Sequence, residues 1–359
     1  MVGVVLAAVV GGCGYAPANI AVSEAGRRIC APRTPQTASE LQAVFDTRGP
    51  WWSGADGGFV VDLPDGRRLW MFGDTIVGQA HALDRRYLDR NAMVNNSLVV
   101  QSGRCFEVRM QGSPLGATRS ALEHPDRGRM WWPQSGVHDP VSNKVLVFAL
   151  RQDTGNWYVN HGMDLIELSW PGLEYVGHRA LPFATSGDFP ALGTTAMIDG
   201  DWLYVYGAPV RGLFKPGYVG RTAWPPTGEL AFEYFDGTGW TVDPGQIRPM
   251  AAGSVGALGV YQVYRTTSGY VAVNKPFDGI DGSILQWRSD SAVGPWQPAG
   301  AVSGPVRYNA AGWTYGVRAW PMPDGSWVLM RSENPMSMDD LYADLLRYGI
   351  RFTRWSPPR

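Results

Sequence analysis

A short apolar strand recurs five times along this chain of 359 residues, and that recurrence limits its fold more than any other feature. The copies are 69–74, 145–151, 203–208, 270–275 and 327–333, each starting apolar and ending near a small, polar or charged residue. Turns precede most of them, at Pro64-Asp65-Gly66, Asp139-Pro140, Asp199-Gly200, Ser268-Gly269 and Pro323-Asp324-Gly325. Further strand candidates lie ahead of those turns at 58–61, 195–198, 259–263 and 316–320, and outer strands follow at 96–100, 165–168, 231–234 and 284–287. Little sustained helical periodicity interrupts them. Repeated short strands at this spacing predict an all-β fold, a five-bladed β-propeller, with a β-sandwich as the alternative. In a propeller the inner strand ends and their loops converge on the axis, so polar residues at those ends carry the functional interest.

Composition narrows the ligand classes. With 31 basic and 32 acidic side chains the formal charge is -1, which gives no bulk attraction to nucleic acid or an anionic membrane. Only 18% of residues are charged, while 16 are Trp, whose flat apolar faces suit sugar rings as well as a core. There is no phosphate-binding loop, dinucleotide fingerprint, HExxH zinc motif, GxSxG elbow or EF-hand spacing. No cofactor and no metal are expected.

The N-terminal segment suggests export. Residues 1–12 are apolar and mostly small, and Cys13 follows Val10-Gly11-Gly12 in the manner of a bacterial lipobox, so 1–17 reads as a lipoprotein-like signal segment. An ordinary export signal or a buried N-terminus are the alternatives. Lipidation of Cys13 would anchor a monomeric protein to the outer face of the cytoplasmic membrane, in the cell envelope. Residues 18–48 read as a tether with a short helix over 40–45 capped by Ser39, leaving 49–359 as the propeller. Cys30 and Cys105 form either one disulfide or two separate thiols.

Asp56 and Asp74 are the leading chemical candidates. Asp56 sits between Gly54-Ala55 and Gly57-Gly58, where the backbone can bend close to a ligand, and Asp74 ends the first repeated strand. Paired carboxyls can divide the work of a glycosidase, one protonating the glycosidic oxygen and the other activating water or attacking carbon. Turn capping is the structural alternative for each. Candidate substrate-binding residues are Trp51, Trp52, Asn95, Asn96, Trp132, His138, Asp188, Asn274, Lys275, Arg318 and Glu333. They offer ring faces and hydrogen-bonding groups to a hydroxyl-rich ligand, and Arg331 is placed to hold Glu333 ionised.

Through 52–58, 72–75, 95–98 and 315–318 the chain resembles an actinobacterial domain-of-unknown-function family that is similar to the endo-D-arabinanases of glycoside hydrolase family 183. The resemblance covers about 49–355. It implies a five-bladed propeller cleaving D-arabinofuranosyl linkages in the arabinogalactan and lipoarabinomannan of the cell envelope, with Asp56 and Asp74 as catalytic carboxylates. The nearby Asn, His and Trp residues would line subsites. A noncatalytic glycan-binding propeller is the alternative from another class.

Overall fold

The computed structural model describes residues 20–22, 27–47, 51–77, 93–112, 118–156, 159–183, 190–209, 216–250, 261–275, 284–303, 312–322 and 324–358. Among these, the strands form six antiparallel sheets in an all-β, propeller-like arrangement. Cys13 and Asp188 lie outside the described residues.

Entry strands β1 (Ala21–Val22) and β2 (Arg28–Cys30) precede a helix, α1 (Ala38–Phe45). Then come β3 (Gly54–Ala55), β4 (Phe59–Asp62), β5 (Arg68–Phe72), β6 (Thr75–Ile76), β7 (Met93–Val94), β8 (Ser97–Ser102) and β9 (Cys105–Arg109). The first large sheet runs β1-β2-β9-β8-β5-β4, and the small sheet β3-β6-β7 continues from one end of β4 and β5. A second sheet holds β10 (Arg129–Asp139), β11 (Lys144–Asp153), β12 (Asn160–Ser169) and β13 (Tyr175–Ala180) in order. The third holds β14 (Thr195–Asp199), β15 (Trp202–Gly207), β16 (Tyr218–Ala223), β17 (Glu233–Phe235) and β18 (Trp240–Thr241). A fourth holds β19 (Tyr261–Thr266), β20 (Gly269–Asn274), β21 (Ile284–Ser289) and β22 (Gln297–Ser303). The fifth holds β23 (Gly312–Pro321), β24 (Trp327–Pro335) and β25 (Gly349–Trp355), with helix α2 (Met338–Ala343) between the last two.

The five repeated strands are β5, β11, β15, β20 and β24. Each pairs on both sides and carries a run of buried apolar residues. Several strands escaped the sequence reading, β9, β25 and the outermost β13, β18 and β22 among them, and two inner ones show why. β10 contains Pro133 and a bulge between Pro133 and Ser135, and β16 is interrupted by Gly220 and Arg221, so neither shows a clean alternation. The segment 231–234 only partly overlaps β17, and β16 takes the third place in that sheet.

Apolar seams hold neighbouring sheets face to face. Phe59, Leu69 and Met71 meet Trp131, Val147 and Ile166, and Phe148 and Leu165 meet Leu192, Leu203 and Val205. Tyr206 and Val219 meet Tyr261 and Ala272, and Val271 and Val273 meet Val317 and Leu329. Finally Trp70, Phe72 and Val99 meet Trp320, Met330 and Phe352, which joins the last sheet to the first. Each buried side chain of this size contributes about 1.5–3 kcal/mol.

Helix α1 belongs to that last seam, burying Leu41, Val44 and Phe45 there. Residues 38–45 are therefore part of the core. Its cap is Thr37 and not Ser39: Thr37 Oγ1 accepts from the Glu40 N–H while the Glu40 carboxylate accepts from the Thr37 N–H, because a Thr-x-x-Glu spacing satisfies both orphan donors. Gln42 then treats the free edge of β25 as a strand would, accepting from Phe352 N–H at 2.9 Å and donating to the Ile350 carbonyl at 3.2 Å. The Cys30–Cys105 disulfide ties β2 to β9, settling the choice left open by the sequence.

Candidate active site

The backbone itself brings Asp56 and Asp74 together. Ala55 pairs with Thr75 across β3 and β6. The pairing continues as Asp56 N–H donates to the Asp74 carbonyl at 3.2 Å and Gly73 N–H to the Asp56 carbonyl at 2.8 Å. A Cβ on Gly73 would lie 2.6 Å from Asp56 Oδ1, so any larger residue there would push the Asp56 carboxylate aside. Gly57, at φ +63°, turns the chain into β4, and its N–H donates to Ser332 Oγ at 2.8 Å.

Side chains from other sheets complete the surroundings. The Tyr315 hydroxyl donates to Asp56 Oδ2 at 2.5 Å, and Asn334 Nδ2 donates to that hydroxyl at 3.4 Å. Trp132 Nε1–H donates to Asp74 Oδ1 at 3.0 Å. The Tyr348 hydroxyl donates to the Asp74 carbonyl at 2.5 Å and lies within hydrogen-bonding reach of the Asp56 carboxylate.

Both carboxyls are half-buried, and both are held above the ordinary range. Burial pushes Asp56 up to about 6 against the opposing hydrogen bonds from Tyr315 and Tyr348. Burial, and then the negative charge of Asp56, pushes Asp74 up to about 8, opposed by the Trp132 bond. Near neutral pH the pair therefore holds one proton and one charge, which is the division that acid–base chemistry needs.

The remaining candidates separate by position. Asn274, Lys275 and Glu333 sit toward the ends of β20 and β24 that correspond to the end of β5 just before Asp74. Asn274 Oδ1 accepts from Trp287 Nε1–H at 3.0 Å, and Lys275 is buried beside it in sequence. Glu333 is 2% exposed and pairs with Arg331 at 3.0 Å, as the sequence suggested, and with Arg351 at 3.2 Å. Asn95 is half-buried, and its N–H donates to Ser120 Oγ.

Five of the substrate-binding expectations are corrected by burial or distance. Trp52 is enclosed by Phe45 and Phe72, and Trp51 is buried with the Arg27 guanidinium 3.8 Å over its ring, so neither presents a face to a sugar. Asn96 is buried and bonds the Leu122 and Trp131 backbones, joining the first sheet to the second. Arg318 is 3% exposed and donates to the carbonyls of Gln134, Thr194 and Tyr261, drawing the inner strands of three other sheets to the axis. Desolvation lowers its pKa to about 10, and both of its terminal nitrogens are engaged by those carbonyls. His138 lies six residues beyond Trp132 on β10, about 20 Å away toward the far hairpin, where it packs on Trp170.

Tyr315, Asn334 and Tyr348 were missed as site residues. The bend at Gly316, φ +61°, marks Tyr315 in hindsight, but no local signal links Tyr348 to Asp74 across 274 positions. Also unforeseen is a group formed by His124, Asp164 and His178, whose ligand atoms all lie within 4.8 Å of one another.

Solved structures share this architecture. A putative hydrolase from Bacteroides ovatus is 18% identical over 91% of this chain and 93% of its own, with a TM-score of 0.68. The α-L-arabinofuranosidase PaAbf62A from Podospora anserina is 10% identical over 86% of this chain and 92% of its own, with a TM-score of 0.51. CoXyl43, a GH43 β-xylosidase/α-arabinofuranosidase from a compost microbial metagenome, is 14% identical over 85% and 92%, with a TM-score of 0.53. At these identities the likeness is one of fold. No curated protein matches the chain. Residues 40–340 match the family described as a domain of unknown function, DUF5005, and since that span is well over half of the chain, the protein belongs to this family.

Proposed function

We propose that this protein is a glycoside hydrolase, an endo-D-arabinanase, with Asp56 and Asp74 as its catalytic pair. The observation that carries the reading is the pair itself: two half-buried carboxyls, locked together by backbone hydrogen bonds and titrating on either side of neutrality. Asp74, the higher of the two, delivers its proton to the glycosidic oxygen as the C–O bond breaks. Asp56, kept anionic by Tyr315, either takes a proton from the attacking water or bonds the anomeric carbon. Trp132 orients the acid, and Tyr315 and Tyr348 orient its partner.

The fold likeness to an α-L-arabinofuranosidase and a β-xylosidase/α-arabinofuranosidase supports a glycosidase. The sequence resemblance to family 183 supports D-arabinofuranosyl linkages of arabinogalactan and lipoarabinomannan as the substrate. In this reading the five large sheets are the five blades, the small sheet β3-β6-β7 is an addition that carries the acids, and substrate occupies the face where the second strands end.

Incubating the full chain with purified D-arabinan is expected to release new reducing ends and shortened oligosaccharides. Asp56→Asn and Asp74→Asn should each lower the rate by at least about 10²–10⁴-fold while the protein still folds. Binding without cleavage by the wild type would instead support a glycan-binding propeller, and full activity in both variants would overturn the site. A monomer anchored in the envelope through Cys13 completes the proposal; membrane retention unchanged in Cys13→Ser would remove the anchor from it.

A further inference from the structure

We propose that His124, Asp164 and His178 form a binding site for a single divalent transition-metal ion, at the seam between the first two large sheets and separate from the aspartate pair. The three residues come from three pieces of chain. His124 lies in the connection from β9 to β10, Asp164 on β12 and His178 on β13. Asp164 and His178 continue the face of the second sheet that carries Ile166 and Leu168, so the group caps the apolar seam between the sheets.

Several observations point to a ligand. Their donor atoms all lie within 4.8 Å of one another. His124 Nε2 is 3.6 Å from Asp164 Oδ2, close to the roughly 3.3 Å between neighbouring ligands of a tetrahedral zinc ion. The His124 side chain is 2% exposed and its Nε2 has no hydrogen-bond partner, an orphaned donor atom aimed at the group. Asp164 is 0% exposed and preorganised: Trp131 Nε1–H donates to Oδ2 at 2.8 Å and Arg151 to Oδ1 at 2.5 Å. Oδ2 keeps a second lone pair for a metal. The Tyr175 hydroxyl pairs with His178 Nδ1 at 2.8 Å, which makes Nε2 the ring nitrogen that His178 would offer a metal.

Two imidazoles and one carboxylate select zinc, cobalt or nickel over calcium or magnesium. Arg151 opposes the cation and sets the affinity below that of an all-anionic site. Binding also requires a change of tautomer. His124 Nδ1 now accepts from the Asp126 N–H at 3.0 Å, so its ring proton is on Nε2. Metal binding through Nε2 puts that proton on Nδ1 with no net loss from the neutral ring. The Asp126 N–H must then give up its bond to Nδ1, and the Asp126 carboxylate, 4.0 Å away, must move within reach to accept the proton.

The test is metal titration of the full chain after chelator treatment and dialysis. Calorimetry with Zn²⁺ should show one ion per chain, and Co²⁺ should develop visible absorption of four-coordinate intensity. His178→Gln, at a half-buried position, should lower Zn²⁺ affinity at least tenfold with unchanged circular dichroism, and Asp126→Asn should lower it by a smaller factor. Zn²⁺ binding by wild type no stronger than by a His124→Gln/His178→Gln double variant would overturn the site, as would Co²⁺ spectra identical in the two. Neither readout depends on hydrolase activity.

Discussion

At the scale of single residues, Asp74 concentrates the cost of the site. A carboxyl whose folded pKa lies above its unfolded value binds its proton more tightly in the folded state, so its contribution is favourable below the unfolded pKa, near 4, and is lost as pH rises through the folded value of about 8. Asp74→Asn removes that penalty. The variant is expected to match wild-type stability at pH 4 and to exceed it by on the order of 2 kcal/mol at pH 9, measured as the difference in denaturation free energy. A variant equally or less stable at pH 9 would mean that Asp74 is ionised at little cost. Sequence exposed the two aspartates because each interrupts a Gly-rich or apolar pattern. It did not expose Tyr315, Tyr348 or Trp132 as their partners, because a hydrogen bond between sheets leaves no spacing in the chain.

At the scale of elements, the second strand of each sheet was readable, as were the inner edge strands β4, β14, β19 and β23, whereas β10 and the outermost strands were not. β5, β11, β15, β20 and β24 are paired on both sides, so burial makes them continuous apolar runs. β10 lines the axis, where a proline and a bulge are tolerated, and its pattern is broken accordingly. Helix α1 shows how an element can be recognised locally and misplaced globally. Its amphipathic face is visible in 38–45, yet only the structure shows that Gln42 completes the edge of β25, 308 positions from Ile350. Gln42→Ala should lower stability by about 1–2 kcal/mol through two lost backbone partners, measured by urea denaturation. An unchanged midpoint would show that apolar packing alone holds the helix.

At the scale of the whole molecule, Arg318 is the point where sheets meet. Its guanidinium reaches carbonyls next to or within β10, β14 and β19 from its own place on β23, and it lies 5.6 Å over the ring of Phe59 on β4. Arg318→Met keeps the volume but removes the donor shared by those carbonyls at the axis, although the Tyr261 carbonyl still accepts from the Thr195 hydroxyl. It should cost about 3–5 kcal/mol, seen as a large fall in the unfolding midpoint, and Arg318→Lys should recover only part because one ammonium cannot span three carbonyls. A Met variant within about 0.5 kcal/mol of wild type would show that the seams hold the inner strands without it.

The sequence by itself determined the strand-rich class, the apolar strand of each sheet, the Arg331–Glu333 pair and the prominence of Asp56 and Asp74, because these depend on burial patterns and residue types that repeat or break locally. The tertiary structure alone decided that Trp51, Trp52, Asn96 and Arg318 serve the framework, that His138 faces the far hairpin, and that His124, Asp164 and His178 converge. The physical reason is closure of the sheets around one axis. A side chain's accessibility and its partners are set by neighbouring sheets whose residues lie tens to hundreds of positions away.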